Sequence, residues 1–350
     1  MEKLQKKYAL FQEKGYYIFK IGSKEYKDYE TKKIYKDKFV KLLNEKNINF
    51  KEIEIIDDGD KEIVIYNTEK VGIHIVNNIK DYIGKIISLK EEVGHVFYRG
   101  HYSWKYKFEP SIYRESNKNI LNNEHNIFKD IISTKPEFFN DCNSCLEMLV
   151  KMQHHGLPTR LMDLTENPLI ALFFACYSES DKEIVSEVTK FVVKDDKFKY
   201  YDSDTVSVLC NLAKQSIEFN LSEKGSCKTN INELPSVQKL LHDIREEKSY
   251  FKDKIKEEHL ENYTVVVKAK NSIERIINQS GAFVLFGMNK SKDKCSDLSI
   301  INDKTILDVI LIPSNKKKQI LEELNLLNIN QLTVFCDLDN AAKYFKSKYN

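Results

Sequence analysis

Three polar segments, far apart in the chain, carry the residues able to do chemistry. Residues 97–104 hold Arg99, Gly100, His101 and the single tryptophan, Trp104. Residues 154–167 hold His154, His155, Thr159, Arg160, Asp163, Thr165 and Asn167. Residues 275–283 hold Arg275, Gln279, Gly281 and Phe283. Cations in this chain are nearly all lysines; the five arginines are Arg99, Arg114, Arg160, Arg245 and Arg275. In so lysine-biased a chain an arginine marks a place where a planar fork, bonding a carboxylate or phosphate through two parallel N–H groups, is wanted. If the segments converge, Arg99 and Arg160 make a bidentate anion clamp, with charge-assisted bonds of roughly 1.5–3 kcal/mol each. His101, His154 and His155 titrate near neutral pH, and Gln279 with Thr165 offers neutral hydrogen bonding. Each residue also has a plain structural reading. His154 and His155 lie where a helix C-terminus attracts positive charge. Arg160 and Asp163, three apart, are spaced for a structural ion pair, and Gln279 for bonding nearby backbone. A wholly structural alternative buries Arg99, His155 and Arg160 against protein partners.

The elements that must position these groups follow from the stretch 145–177. Leu146, Leu149, Val150 and Gln153 share one face at helical spacing, and Gly156 is placed to end that helix in a left-handed conformation. Asn167 as N-cap and Pro168 in the first turn open a second helix, whose body, Leu169 to Cys176, is apolar all round and so predicted to be buried. Two core helices thus hold a short polar crossing, a way to fix functional groups rigidly. Val96 to Tyr98 reads as a short strand with Arg99-Gly100 at its end, where α/β folds place ligands. Trp104, with Tyr102, Tyr106 and Phe108, is available to line a pocket for a flat ring or to pack in the core. A helix over 122–133 carries Glu124 and His125. Strands are predicted over 190–194, 263–269 and 282–287, with Gln279 and Gly281 opening the last, and a helix over 206–219. Residues 221–262 read as irregular surface insertions with short helices, and 306–346 as a β-α-β-α scaffold whose second strand is 331–335 and whose last helix is capped by Asp337 or Asp339.

Before residue 77 the chain is lysine-rich. It predicts a helix over 32–47 and a hairpin, 52–56 with 62–66, turning at Asp-Asp-Gly-Asp. Residues 1–76 are therefore read as a small α/β accessory region and 77–350 as the main domain. The whole is α+β, a mixed-sheet core with buried helices.

Composition narrows the function classes. With 41% apolar and 31% charged residues the chain reads as soluble and globular. A net charge of +2 supplies no global field to recruit nucleic acid or an anionic membrane. No apolar run approaches the roughly 20 residues that span a bilayer, and the polar start shows no secretory signal. Seven scattered cysteines fit a reducing cytoplasm, and the lone Cys142-x-x-Cys145 pair is read as helix-start residues, so no metal is predicted. A Gly-rich phosphate loop, a His-Glu-x-x-His motif, a Gly-x-Ser-x-Gly elbow and a two-metal acidic cluster are all missing from the sequence.

Particular runs add a resemblance. Phe97-Tyr98-Arg99-Gly100-His101, Pro110-Ser111-Ile112-Tyr113-Arg114, Met152-Gln153-His154-His155-Gly156-Leu157-Pro158-Thr159-Arg160-Leu161-Met162-Asp163 and Asn167 to Ala175 resemble the FRG domain family, named for its Phe/Tyr-Arg-Gly motif. Arg275-Ile276 with Gln279-x-Gly281-x-Phe283, and Phe335-x-Asp337-Leu338-Asp339, are similar to its later motifs, so the resemblance covers about 78–346. It implies a bacterial or phage-associated protein and a candidate for antiviral defence or toxin systems. A second resemblance, to ADP-ribosyltransferases, rests on an Arg-Gly ending a first strand, a threonine-bearing segment running into an apolar helix, and a polar residue opening a later strand. It implies that Arg99 grips the NAD diphosphate, Thr159 and Thr165 supply hydroxyls, and Gln279 stands where a glutamate is expected. A neutral amide there can hydrogen-bond a ribose but cannot stabilise an oxocarbenium-like cation as a carboxylate does; Glu274 or Glu124 is the available substitute, though nothing in the sequence places either. The resulting expectation is an effector acting on a nucleotide-like ligand, NAD foremost, by ADP-ribosyl transfer or glycosidic cleavage. Arg99, His155, Arg160 and Gln279 would be its catalytic residues. Gly100, His101, Trp104, His154, Thr159, Asp163, Thr165, Asn167, Arg275, Gly281 and Phe283 would bind the ligand. The alternative expectation is a non-catalytic module that binds a phage or nucleic-acid component.

Overall fold

The computed structural model describes residues 16–22, 41, 51–57, 61–67, 71–89, 93–178, 184–221, 230–270, 274–298 and 307–349. In chain order the elements used below begin with β1 (Tyr16–Gly22), β2 (Lys51–Asp57), β3 (Lys61–Asn67), β4 (Val71–Ile75), α1 (Ile79–Ser88) and β5 (His95–His101). Next come α2 (Glu124–Thr134), α3 (Cys145–His154), β6 (Leu161–Thr165), α4 (Pro168–Cys176), β7 (Ser186–Val193), β8 (Phe198–Tyr200), α5 (Asp204–Asn211) and α6 (Pro235–Glu247). The chain continues through β9 (Thr264–Lys268), α7 (Glu274–Asn278), β10 (Gly281–Phe286), β11 (Met288–Asn289) and β12 (Ser291–Cys295). It closes with β13 (Leu307–Ile312), α8 (Lys317–Leu326), α9 (Gln331–Phe335) and α10 (Leu338–Tyr349). Residues 1–106, 165–192 and 304–350 make up one compact unit, and 107–164 with 193–303 the other.

In the first unit β2 and β3 form the expected antiparallel hairpin, with β1 on the other side of β3. The turn of that hairpin and the helix predicted over 32–47 lie outside the described residues. A mixed sheet runs in the order β4-β13-β7-β5, with β13 parallel to β4 and antiparallel to β7. β4 thus lies within the stretch read from sequence as accessory, yet pairs with a strand more than 200 residues later. All eight positions of β7 are buried, starting at Ser186 rather than at the predicted residue 190, because the strand is covered on both faces. On one face Val188, Ile310 and Ile312 pack with Tyr98 against Ile170, Ala171, Leu172 and Phe173 of α4. Ile170 to Phe173, Ala175 and Cys176 of this apolar helix are buried while Leu169 and Phe174 are half-buried, and each large side chain buried there contributes about 1.5–3 kcal/mol. The Tyr82 hydroxyl of α1 donates to the Pro168 carbonyl at 2.7 Å, tying α1 to the start of α4.

Gly100 explains how α4 comes so close to β5. A Cβ at that position would lie 1.9 Å from the Ala171 carbonyl oxygen and 2.7 Å from the Ala175 nitrogen, so only hydrogen fits. The strand carrying it also runs further than predicted: β5 extends to His101, which puts Arg99-Gly100 inside the strand rather than past its end. Residues 331–335, predicted as a strand, are helical. Asn330 and Thr333 form a reciprocal capping box there, a local start signal that outweighs the β-like Thr-Val-Phe. Asp337 opens α10 as expected, its carboxylate accepting the Asn340 N–H at 2.8 Å.

The second unit contains a mixed sheet in the order β6-β10-β9-β8, with β10 antiparallel and β8 parallel to β9. Its core joins Leu146, Leu149, Val150 and Met152 of α3 to Val206 and Leu209 of α5 and to Val265, Val267, Phe283 and Leu285 of the sheet. Here α6 corrects the reading of 221–262 as surface insertion. Val237, Leu240, Leu241 and Ile244, at i, i+3, i+4 and i+7, are fully buried in the same core. α3 ends as predicted: Gly156 has φ +87°, and the Leu157 N–H reaches back to the Met152 carbonyl at 3.0 Å. The crossing after it contains a short strand, β6, with Asp163 its one exposed residue.

Candidate functional site

Each unit holds one polar cluster built from the residues singled out by sequence. In the first unit successive residues of β5 point to opposite sides. Gly100 faces α4, so Arg99 and His101 share the other face. The Arg99 Nε–H donates to His101 Nε2 at 2.8 Å, and His101 Nδ1 lies 3.0 Å from a Glu187 carboxylate oxygen on β7. Arginine has only donors, so His101 Nε2 must accept and its proton must sit on Nδ1, donated to the Glu187 carboxylate oxygen. His101 is 4% exposed and Glu187 wholly buried, whereas Arg99 is half-buried. A buried carboxylate is costly without such a donor. The arrangement is a directional chain, carboxylate to imidazole to guanidinium, running from the interior outwards. Thr189, two positions beyond Glu187 on the same face of β7, has a buried hydroxyl with no hydrogen-bond partner in the structure.

The other predicted residues of this unit shape the backbone. The Thr165 hydroxyl accepts the Asn167 N–H at 2.9 Å, and Asn167 Oδ1 accepts the Leu169 N–H at 2.9 Å, which together start α4. Trp104 is fully buried, with its backbone N–H bonded to the Val185 carbonyl at 3.0 Å, so it is a core residue and not a pocket wall. A cleft of about 410 Å³ opens elsewhere in the unit, between His74–Val76 and Asp81, Gly84, Lys85 and Ser88 of α1. None of the predicted site residues lines it.

In the second unit Arg160 is fully buried, which corrects the expectation that it forms the other prong of an anion clamp. Its Nε donates to both carboxylate oxygens of Glu124, at 2.8 and 3.0 Å, its Nη2 to Glu124 at 2.8 Å, and its Nη1 to the Tyr113 hydroxyl at 2.6 Å. The anion it grips is therefore Glu124 on α2, not Asp163. Lys292 of β12 shares that carboxylate at 3.0 Å and donates to the Gln215 carbonyl. Two buried cations thus share one buried carboxylate. Burial accordingly pulls the Lys292 pKa down to about 8, against the pull of Glu124 and with the help of Arg160. Burial also pushes up the Tyr113 hydroxyl. A void of about 10 Å³, lined by Glu124, Phe128, Met152 and Thr159 among others, lies beside the cluster; it is the size of one water.

The buried Thr159 hydroxyl donates to Gln153 Oε1 and accepts the Leu161 N–H at 3.2 Å, and Gln153 Nε2 donates to Asp163 at 2.9 Å. This side-chain ladder stiffens the turn between α3 and β6. His154 and His155 stack edge-to-face, 4.9 Å between ring centroids, at the C-terminus of α3, with His155 exposed as its C-cap. Gln279 is half-buried, Gly281 opens β10, and Phe283 is a core residue. Arg275 belongs to α7, and its side chain lies outside the described ones.

Sequence reasoning missed Glu187 and Lys292 and offered Glu124 only as a substitute for the glutamate missing at 279. Partners 86 and 36 residues away leave no local spacing signal. Among the described residues no group of three or more His, Cys, Asp or Glu side chains could hold a metal ion, and no helix is long and apolar enough to cross a membrane.

Residues 94–184 match the family model described as the FRG domain, a segment that includes β5, α2, α3, β6 and α4. No curated protein and no solved structure matches the chain. The protein therefore carries an FRG domain, and the Arg99 and Arg160 clusters are both anchored within it.

Proposed function

We propose that this FRG-domain protein is an effector that acts on an anionic, nucleotide-like ligand, NAD foremost, and that Arg99 grips the ligand's phosphate. The observation that supports this reading is the half-buried Arg99 guanidinium, held by a buried acceptor chain at its Nε. A guanidinium fixed in advance loses less rotamer entropy when an anion arrives, which is what a binding arginine requires. Arg160 contributes differently: buried against Glu124 and Tyr113, it positions the 159–165 crossing and touches no ligand. In the reaction, the bond between the ribose C1′ and the nicotinamide nitrogen breaks, and nicotinamide leaves with the electron pair. Water, or a nucleophilic side chain of an acceptor protein, then bonds to C1′ and loses a proton. A defence or toxin role would follow from depletion of NAD or modification of a target.

The test is to incubate the purified protein with NAD and follow nicotinamide release, with Arg99→Ala as control. Release that depends on Arg99 supports the reading. No release, together with no change in melting temperature with NAD, ADP-ribose or ATP, removes it. A salt-dependent gel shift of RNA or DNA that NAD leaves unaltered would instead favour the nucleic-acid-binding module.

A further inference from the structure

We infer that Glu187, three residues beyond the matched FRG segment, is a positioning residue that acts on Arg99 through His101. The inference deepens the phosphate-gripping reading of Arg99 and rests on it for its binding arm only. Geometry fixes the direction of the chain. The guanidinium can only donate, so His101 must present a bare Nε2, and only a proton on Nδ1 satisfies that. Imidazole in water prefers neither tautomer strongly. A buried carboxylate oxygen at 3.0 Å selects the Nδ1–H form, as carboxylates do for histidines whose second nitrogen must accept or ligate. Remove that carboxylate and His101 is released to its other tautomer, whose Nε2–H would face the Arg99 Nε–H donor to donor. Arg99 would then have to turn away. Glu187 thus sets the aim of the binding arginine from a place where it touches no ligand.

Substitutions separate this role from simple packing. In Glu187→Gln the amide keeps the shape but no longer imposes the tautomer, so NAD affinity falls about tenfold. His101→Gln supplies one acceptor for Arg99 and one donor for Glu187, and so keeps affinity within about threefold, while His101→Leu supplies neither and falls as far as Glu187→Gln. In an Arg99→Ala background Glu187→Gln has no further effect, because its influence passes through Arg99. A packing role would make the two substitutions additive and would leave His101→Gln no better than His101→Leu; either result overturns the inference. The second readout needs no ligand. Ring ¹⁵N shifts of His101 in the wild-type protein should show a protonated Nδ1 and an unprotonated Nε2 at neutral pH, and Glu187→Gln should move that population. An Nε2–H tautomer in the wild type, or a tautomer unmoved in Glu187→Gln, refutes the relay even if NAD binds. If wild type shows the Nδ1–H tautomer but no NAD affinity, the relay stands and the proposed ligand falls.

Discussion

Replacing Lys292 with methionine tests the buried cluster around Arg160 through pH. Lys292 is fully buried between the Glu124 carboxylate and the Gln215 carbonyl, with Arg160 competing for the same carboxylate. Burial lowers its pKa to about 8 from the usual 10.5, a gap corresponding to about 3 kcal/mol of strain in keeping it charged. Below pH 8 folded and unfolded chains both hold the proton, so this group gives stability no slope. Between pH 8 and 10.5 the unfolded chain still holds it while the folded chain has released it, so stability rises with pH; above 10.5 the slope vanishes again. From pH 8 to pH 10 the wild type should gain about 2 kcal/mol on Lys292→Met, which has no proton to lose. Buried thiols titrate in the same range with the opposite sign, so the readout is the difference between the two proteins and not either curve. Urea unfolding at half-unit steps of pH, followed by fluorescence of the buried Trp104, supplies it. A difference that stays flat across that interval would mean Lys292 is not a strained buried cation, and the account of the cluster would be wrong.

Other substitutions probe the remaining contacts. Gly100→Ala drives a methyl into the Ala171 and Ala175 backbone, which cannot turn aside, so the loss should reach or exceed the roughly 1–3 kcal/mol usual for overpacking; an unchanged denaturation midpoint would contradict the close approach of β5 and α4. Glu124→Ala strands Arg160 and Lys292 together and should cost about 3–5 kcal/mol or abolish soluble expression, whereas Glu115→Ala, exposed on the surface, should cost less than about 0.5 kcal/mol. Cys176 and Cys295, whose pKa values burial pushes up to about 12, should resist iodoacetamide at pH 8 until guanidinium unfolds the chain. Rapid labelling of either in the native state would show that its surroundings open.

What could be read from the sequence was local. Gly156, Asn167-Pro168 and the apolar 169–176 run announced the helices that flank the crossing, because caps and breakers act within a turn of the backbone they control. β6 went unseen because its five residues sit between Pro158 and Pro168 and are buried on both faces except at Asp163, so no alternation shows. The burial of α6, read as a short surface helix, went unseen for a different reason: its charged outer face dominated the composition while its 237/240/241/244 stripe carried the signal. Pairings across the fold were beyond reach. Arg160 was expected to choose between Asp163 and a ligand; its partner Glu124 reaches it only because α2 packs into the same core as α3 and β6. Arginine scarcity flagged both Arg99 and Arg160, yet one lies half-buried on a relay and the other is sealed in an ion pair, a distinction set by burial alone.

The central claim, that Arg99 and not Arg160 meets the ligand, is tested most directly by the melting temperature of the wild type and of Arg99→Ala with and without NAD. Ligand at a hundred times its Kd adds about 2.7 kcal/mol of stability, enough to raise the melting temperature by several degrees. The wild type should show that rise and Arg99→Ala, at the same NAD concentration, only a small fraction of it. A rise of equal size in both proteins, or none in the wild type, would contradict the account.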